Sequence, residues 1–316
     1  MAERHPVLAY AVRRVAIGVG LTFVVSVLIF AATQLLPGNP AIAILGRNAA
    51  HRRALHQLEV QLGLDHSAVY QYSHWLGSLL QGNLGQSYAA HEPVSTLLAS
   101  DVGNTMILAG VTLAIMIPLS LLLGTLAGIR RGGWLDTLLS GLTLGAIALP
   151  EFVTGTFLVI VFAIWMGVLP AVSLGPGAAN LVLPVATLVI AGLAYNVRMV
   201  RAGVVEVMAS DYVEAARLNG VPEGRLIRRY VLRNALAPSI QTFAMTVQWL
   251  VGGVVVVETV FSYPGIGQAL VQAVSTEDIP TVQALGMLIA LLYILINVAA
   301  DVAVVYVVPK LRTESG

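Results

Sequence analysis

The chain carries a long apolar run near its start: Val15 to Leu36 read VAIGVGLTFVVSVLIFAATQLL, 22 residues with no charged side chain. As an α-helix this run is about 33 Å long, enough to cross the hydrocarbon core of a bilayer. Arg13 and Arg14 precede it, as basic residues precede the core of a signal peptide, but such a core is only about 7–15 residues long. No convincing small-x-small cleavage site follows, so we predict a retained transmembrane helix that ends at the proline-containing stretch 36–40.

The composition of the whole chain is typical of a membrane protein. Of the 316 residues, 57% are hydrophobic and 10% are charged, whereas soluble domains carry about 25% charged residues. The net charge of +1 provides no overall basic field for nucleic acid. The lack of cysteine excludes disulfides, thiolate metal sites and a cysteine nucleophile. The single lysine, Lys310, lies near the end, which excludes a phosphate-binding loop of the form GxxxxGKS/T.

Further apolar runs are long enough to span a membrane. Four are clear: Asn104–Ile129, Leu181–Val197, Pro238–Val257 and Thr281–Val308. The remaining run, Leu135–Val168, covers 34 residues but is interrupted by Pro150-Glu151, so it forms either one kinked helix or two short ones.

The distribution of basic residues favours six spans with both termini in the cytoplasm. If 135–168 crosses once, fourteen of the seventeen Arg and Lys residues lie inside, and only Arg47, Arg52 and Arg53 lie outside. If it crosses twice, the arginine-rich stretch from Arg198 to Arg233 is translocated, or the first helix is inverted. We therefore predict a multi-pass protein of the cell (inner or plasma) membrane.

A polar segment separates the first two spans. Leu55, Leu58 and Leu62 recur at helical spacing, and the set Tyr72, Trp75, Leu76 and Leu79 does so again. These patterns predict two amphipathic helices that are too short and too polar to span. The predicted organisation is a transmembrane helix in 1–36, an extracytoplasmic loop in 37–103, a core of five spans in 104–308 with a cytoplasmic loop at 201–233, and a cytoplasmic tail in 309–316.

That cytoplasmic loop carries a short self-capped helix. Asp211 and Glu214 have the spacing of a capping box with Asp211 as N-cap, and Gly220 followed by Pro222 is a typical helix end. Ala215 and Ala216 would provide a small-residue face for a partner. The set Tyr212, Val213 and Leu218 flanks that face, and the arginines from Arg225 to Arg233 alternate with apolar residues in an amphipathic lead-in to the next span. An arginine-rich loop alone is usually a solvated face against anionic lipid.

The order of these features resembles a known family. The run Asp-Tyr-Val-Glu-Ala-Ala-Arg-x-x-Gly (211–220), with Leu-Arg-Asn-Ala-Leu-Ala-Pro downstream (232–238), resembles the EAA loop of permease subunits in binding-protein-dependent ABC importers. The 18-residue distance from Gly220 to Pro238 is similar to that of the peptide and nickel group. Further landmarks in the family order are 36–40, 62–65, 82–85, 258–267, 278–280 and 309–312. Departures are Asn39 where Asp is frequent, a short loop between the third and fourth spans, and no Asn before Pro309.

The resemblance implies an ABC type I importer permease fold and assigns roles to residues. Its coupling helix, which docks on the ATPase, would comprise Asp211, Tyr212, Glu214, Ala215, Ala216, Arg217 and Gly220. The chain would bind no cofactor, with ATP and Mg²⁺ held by one or two ABC ATPase subunits. A second homologous permease would complete the pathway, and an extracytoplasmic substrate-binding protein would deliver a di- or oligopeptide. No catalytic residue is expected in this chain.

Three carboxylates in apolar segments are further candidates. The resemblance places Glu258 in an outer-gate segment together with Tyr263 and Pro264, whereas a carboxylate at the water interface is the alternative. Glu151 either faces the pathway or satisfies the amides freed by Pro150. Asp301, near the predicted cytoplasmic end, is expected to cap its helix or to extend to the interface.

Other classes of protein fit less well. Five of the six histidines fall in the predicted outer loop, but His51 and His56 are five apart, so surface histidines are favoured over a metal site. A membrane-embedded hydrolase needs a nucleophile with a base, or paired carboxylates, and the spans contain no histidine. A secondary transporter or channel remains an alternative, although no inverted repeat is visible. An importer of nickel or another small solute is a further one.

Overall fold

The structure is a computed structural model that describes residues 6–35, 40–45, 52–61 and 63–307. The predictions on 36–39, Leu62, His51 and 309–316 lie outside these residues. Every named element in the described part is helical. The helices are α1 (Pro6–Gln34), α2 (Pro40–Leu45), α3 (Arg52–Gln61), α4 (Ala68–Leu80), α5 (Val94–Ile129), α6 (Trp134–Ala148), α7 (Glu151–Leu158), α8 (Ala178–Met208), α9 (Asp211–Leu218), α10 (Glu223–Leu226), α11 (Leu232–Phe261), α12 (Ile266–Ser275) and α13 (Ile279–Val307).

Several helices have the length and apolar character of a membrane span. Five qualify on their own within the described residues: Tyr10–Gln34, Val94–Ile129, Ala178–Met208, Gln241–Phe261 and Ile279–Val302. The pair Trp134–Ala148 and Glu151–Trp165 qualifies together but is bent by 105°. The expected all-α membrane fold is confirmed, with five candidate spans, or six when the bent pair crosses as one.

Three predicted spans are shorter than the helices that contain them. α5 begins ten residues before Asn104, α8 continues to Met208, and Pro238 lies inside α11 rather than at its start. Hydropathy identifies the segment that can lie in hydrocarbon. The backbone hydrogen bonds of the helix can continue beyond that segment into water, where the side chains are polar. The predicted spans therefore mark apolar segments within longer helices, and they share the end of α5 at Ile129.

The ambiguous segment 135–168 breaks at Leu149–Pro150. Leu149 has an extended backbone (φ −96°, ψ 123°), which agrees with the steric bias of a residue before proline. Pro150 then precedes the first turn of α7, where its missing amide costs nothing. α7 runs directly into a π-helical turn at Val159–Trp165. Of the two predicted alternatives, one kinked helix or two short ones, the structure has two helices that meet at 105°.

The chain divides into two compact units. The first is built on Met106–Tyr263 and also includes residues 6–14 and 296–307. In it, α8 packs against α6, α7 and α11, and a core cluster includes Leu188, Val254 and Phe261. α5 approaches α8 at Gly124 and Gly128, where a Cβ would lie 2.7 Å from the Cβ of Val200 and Val204, respectively.

The second unit combines Val15–Thr105 with Pro264–Leu295. The predicted amphipathic helices are α3 and α4. The aromatic rings of Tyr72 and Trp75 on α4 contact Phe30 of α1, and the Tyr72 and Ser26 hydroxyls are 2.8 Å apart. Asp278, from the predicted Asp-Ile-Pro landmark, accepts hydrogen bonds from the Ser87 hydroxyl, the Tyr88 amide and the Thr281 hydroxyl.

Candidate functional site

The loop between α8 and α11 contains the predicted short helix, α9. Its N-cap is Ser210 (φ −80°, ψ 147°), so Asp211 and Glu214 lie inside the first turn. The predicted capping box with Asp211 as N-cap was wrong. Ser210 adopts the extended backbone that a cap residue requires, and its hydroxyl donates to the Val207 carbonyl instead of capping α9. Asp211 and Glu214 still place negative charge at the positive end of the helix dipole.

The C-terminus of α9 is as the sequence predicts. Gly220 has φ +78°, a left-handed conformation that glycine adopts without steric cost. Its amide donates to the Arg217 carbonyl at 3.0 Å, and the Val221 amide donates to the Ala216 carbonyl at 3.1 Å. These two bonds form a Schellman motif, so the position of Gly220 fixes where the helix stops.

The two faces of α9 differ. Val213 and Ala216 are buried in a cluster with Val200 and Val204 of α8 and Leu226 of α10. The prediction that both alanines face a partner was therefore wrong for Ala216, which packs inward. The exposed face consists of Asp211, Tyr212, Glu214, Ala215, Arg217 and Leu218. Leu218, at the end of this face, is 82% exposed.

The segment between α9 and α11 is held by an ion pair at its start and by buried side chains further along. Arg217 pairs with Glu223, with 2.9 Å between the Arg217 Nη2 and the Glu223 Oε1. Leu226 and Val231 are buried, while Arg228 and Arg229 are exposed. This distribution matches the predicted amphipathic lead-in, and a π-helical turn at Ile227–Val231 joins it to α11.

Glu258, Tyr263 and Pro264 lie at the opposite end of α11. Glu258 is fully buried, so the alternative of a carboxylate in interfacial water was wrong. α11 ends with Ser262 in a left-handed conformation (φ 51°), and the Tyr263 amide donates to the Glu258 carbonyl at 2.8 Å. Burial, together with the charge of Glu258, raises the pKa of Tyr263 to about 12, so its phenol stays neutral.

Pro264 begins the segment that leads into α12. The Asn104 side-chain amide donates to the Pro264 carbonyl at 2.8 Å, and the Ile266 amide donates to the Thr105 hydroxyl at 3.0 Å. These bonds attach the start of α12 to α5 within the second unit. Sequence reasoning missed α12 as a helix, although the spacing of Ile266, Leu270 and Ala273 is helical.

Glu151 occupies the first turn of α7, directly after the break. Among the described residues its carboxylate has no hydrogen-bond or ion-pair partner, so the suggestion that it satisfies amides freed by Pro150 was wrong. It lines a cavity of about 340 Å³ in the first unit. Leu149 at the break and residues of α6, α8 and α11 form the rest of its lining.

Two family models match successive parts of the chain. Residues 120–313 match the inner membrane component of binding-protein-dependent transport systems, and residues 7–109 match the N-terminal part of the membrane component of such systems. The chain belongs to this permease family. The resemblance inferred from the loop at 211–220 is thereby confirmed for the family.

The chain is similar to curated relatives over nearly its whole length. A protein of Brucella abortus (strain 2308), whose name describes a peptide transport system permease protein, is 33% identical over 313 residues, covering 97% of this chain and 99% of the relative. The glutathione transport system permease protein GsiC of Shigella flexneri is 34% identical over 305 residues, covering 96% and 99%. A peptide ABC transporter permease protein of Sinorhizobium fredii is 32% identical over 310 residues.

The permease also contains two ion pairs that sequence reasoning missed. Asp136 of α6 pairs with Arg201 of α8 through two hydrogen bonds, and it also accepts from the Gly132 amide at 2.9 Å. Arg14 of α1 lies 3.2 Å from Asp301 of α13. Asp301 was expected to cap its helix or extend to the interface, and it forms this pair instead. Partners 65 and 287 residues apart leave no local signal in a single sequence.

Histidine contacts in the described residues involve neighbours along the chain. His56 Nδ1 lies 3.9 Å from Glu59, and the His66 and Tyr70 rings are 4.4 Å apart. The described residues include no group of three or more His, Asp or Glu side chains arranged to hold a metal ion.

Proposed function

We propose that this permease is one of two non-identical membrane subunits of an ATP-driven importer of di- or oligopeptides. The observation that carries the proposal is α9: a capped helix with one exposed face, held between two long apolar helices, in a chain of the binding-protein-dependent permease family. The peptide substrate is supported by the names of the relatives, which describe peptide and glutathione transport.

Coupling to ATP hydrolysis would pass through α9. Its exposed face, with Tyr212, Glu214, Ala215 and Arg217, would dock in a cleft of an ABC ATPase subunit that binds ATP and Mg²⁺. Because Val213 and Ala216 are packed into the cluster with α8 and α10, a push on α9 is delivered to α8 and to the lead-in of α11 rather than absorbed by a loose loop. Closure of two ATPase subunits would thus open the pathway outward, and hydrolysis would reset it.

The remaining parts fit a consistent topology. Both termini and the loop 201–233 would be cytoplasmic, and 37–103 would face the extracytoplasmic substrate-binding protein. The segment 258–267, with Glu258, Tyr263 and Pro264, would act as an outer gate. The tight attachment of Ile266 to Thr105 supports a defined position for the start of α12 rather than a loose loop.

The first test is an affinity pull-down of the chain from native membranes in mild detergent. A second six-span protein and one or two ATPases should co-purify. Recovery of the chain alone or as a homo-oligomer would favour the competing proposal, a secondary transporter or channel that works without an ATPase.

The second test reverses one exposed charge on α9. Glu214→Lys should abolish ATP-driven peptide uptake without reducing the amount of protein in the membrane, because Glu214 contributes to the docking face and not to the packed side. Glu206→Lys, at an exposed position in the last turn of α8, is the matched control and should retain uptake. Equal uptake in both variants would contradict a coupling role for α9.

A further inference from the structure

The break between α6 and α7 opens a cavity of about 340 Å³ in the first unit. α8 contributes Gly192 and Tyr195 to its wall, and α11 contributes Thr246 and Trp249. The volume is at the lower end of the range for small-molecule sites, about 300–1,000 Å³. It can therefore accept one end of a short peptide but not an extended chain.

The indole ring of Trp249 forms one wall of the cavity. A Cβ on Gly192 would lie 3.1 Å from the Trp249 ring, and one on Gly253 would lie 3.4 Å from the same ring. A Cβ on Gly192 would also lie 2.4 Å from the Met116 sulfur, so glycine at this position lets the indole of α11 pack closely against α8. Thr246 is fixed nearby, because its hydroxyl donates to the Asn196 side-chain oxygen at 2.9 Å. The wall is thus packed before any ligand enters.

Glu151 supplies the charge of the cavity. It and the Tyr195 phenol are the titratable groups among the lining residues, and no lysine, arginine or histidine lines the cavity within the described residues. The Glu151 carboxylate is half-buried and has no hydrogen-bond or ion-pair partner there. A carboxylate in an apolar segment is costly unless it meets a cation, and an aromatic face such as that of Trp249 also attracts one.

We propose that this cavity binds a primary ammonium group, the free amino terminus of the transported peptide. The assignment rests on the proposed function, because every unmodified peptide brings such a group. The Glu151 carboxylate would pair with the ammonium, and Trp249 and Tyr195 would pack around the first residue. A peptide that lacks the amino-terminal charge would leave Glu151 unpaired.

The test uses the complete transporter, purified with its partner subunits and binding protein and reconstituted in vesicles of phosphatidylcholine and phosphatidylglycerol. These lipids carry no primary ammonium, so the peptide is the source of the group. ATP-driven uptake of trialanine and of N-acetyl-trialanine is measured, each at a concentration that saturates the binding protein. The wild-type protein should prefer trialanine.

Glu151→Gln should lower trialanine uptake about tenfold or more and leave N-acetyl-trialanine uptake unchanged. Glu206→Gln, on the exposed surface of α8, is the control and should keep the wild-type preference. Equal loss for both peptides, or no loss, would overturn the ammonium site while peptide import stands. Failure of the wild-type protein to transport either peptide would overturn peptide import and the site with it.

A second variant covers the case in which Glu151→Gln does not reach the membrane. Glu151→Asp keeps the charge but withdraws it by one methylene, so the KM for trialanine should rise while that for N-acetyl-trialanine stays constant. A parallel rise for both peptides would overturn the assignment.

Discussion

At the scale of single residues, the end of α9 depends on the backbone of one glycine. Gly220 has φ +78°, and a Cβ there would meet no atom within 4 Å, so Gly220→Ala introduces backbone strain without a clash. We expect a local cost of about 1 kcal/mol, because L-residues disfavour the left-handed region. Gly224→Ala, inside α10 and equally open, should be neutral or slightly stabilising. Proteolysis of the loop 201–233 should be faster in Gly220→Ala alone; equal rates would contradict this role of Gly220.

A second residue-scale prediction compares a buried and an exposed ion pair. Asp136 is 6% exposed and Arg201 30% exposed, so Asp136→Asn should lower the free energy of unfolding by about 1–3 kcal/mol. Arg217 and Glu223 are 47% and 60% exposed, so Glu223→Gln should cost about 0–1 kcal/mol. Thermal unfolding of the purified variants measures both values. An equal effect of the two substitutions would show that burial does not set the strength of these pairs.

At the scale of elements, the contact between α5 and α8 depends on the lack of a side chain. A Cβ on Gly124 would lie 2.8 Å from the Val197 carbonyl oxygen, a backbone atom that can move only with its helix. Gly124→Ala should therefore destabilise the protein by about 2 kcal/mol. Gly110→Ala, on the same helix with no atom within 4 Å, should be neutral or slightly stabilising. The unfolding temperatures of the two variants in detergent test this difference. A Gly124→Ala variant that unfolds at the wild-type temperature would contradict the close approach.

The same elements show what a single sequence can predict. The predicted end of α9 at Gly220 was correct, because the left-handed backbone conformation after a helix is a local requirement and glycine adopts it at little cost. Its start was wrong by one residue, because Ser210 and Asp211 are both good caps and only the backbone decides between them. The inward position of Ala216, the pairing of Asp136 with Arg201 and the cavity beside Glu151 depend on contacts between distant segments, which periodicity does not encode.

At the scale of the whole molecule, the number of spans determines on which side α9 lies. If the bent pair α6–α7 crosses once, the polar segment around α4 and the loop before α8 share one side, and α9 lies on the other. If the pair turns back, α4 and α9 share a side and the loop before α8 is opposite. The proposed coupling requires the first arrangement.

The lack of native cysteine makes this arrangement directly measurable. Leu80, Leu174 and Leu218 are 80%, 83% and 82% exposed, so each can be replaced singly by cysteine without disturbing a core. In intact cells, a membrane-impermeant maleimide should label Leu80→Cys and Leu174→Cys. Leu218→Cys should react only after the membrane is opened, because the coupling helix must lie where ATPase subunits can bind it. Labelling of Leu80→Cys together with Leu218→Cys, while Leu174→Cys stays protected, would show that the α6–α7 pair does not cross once and would remove the physical basis for ATP-driven coupling through α9.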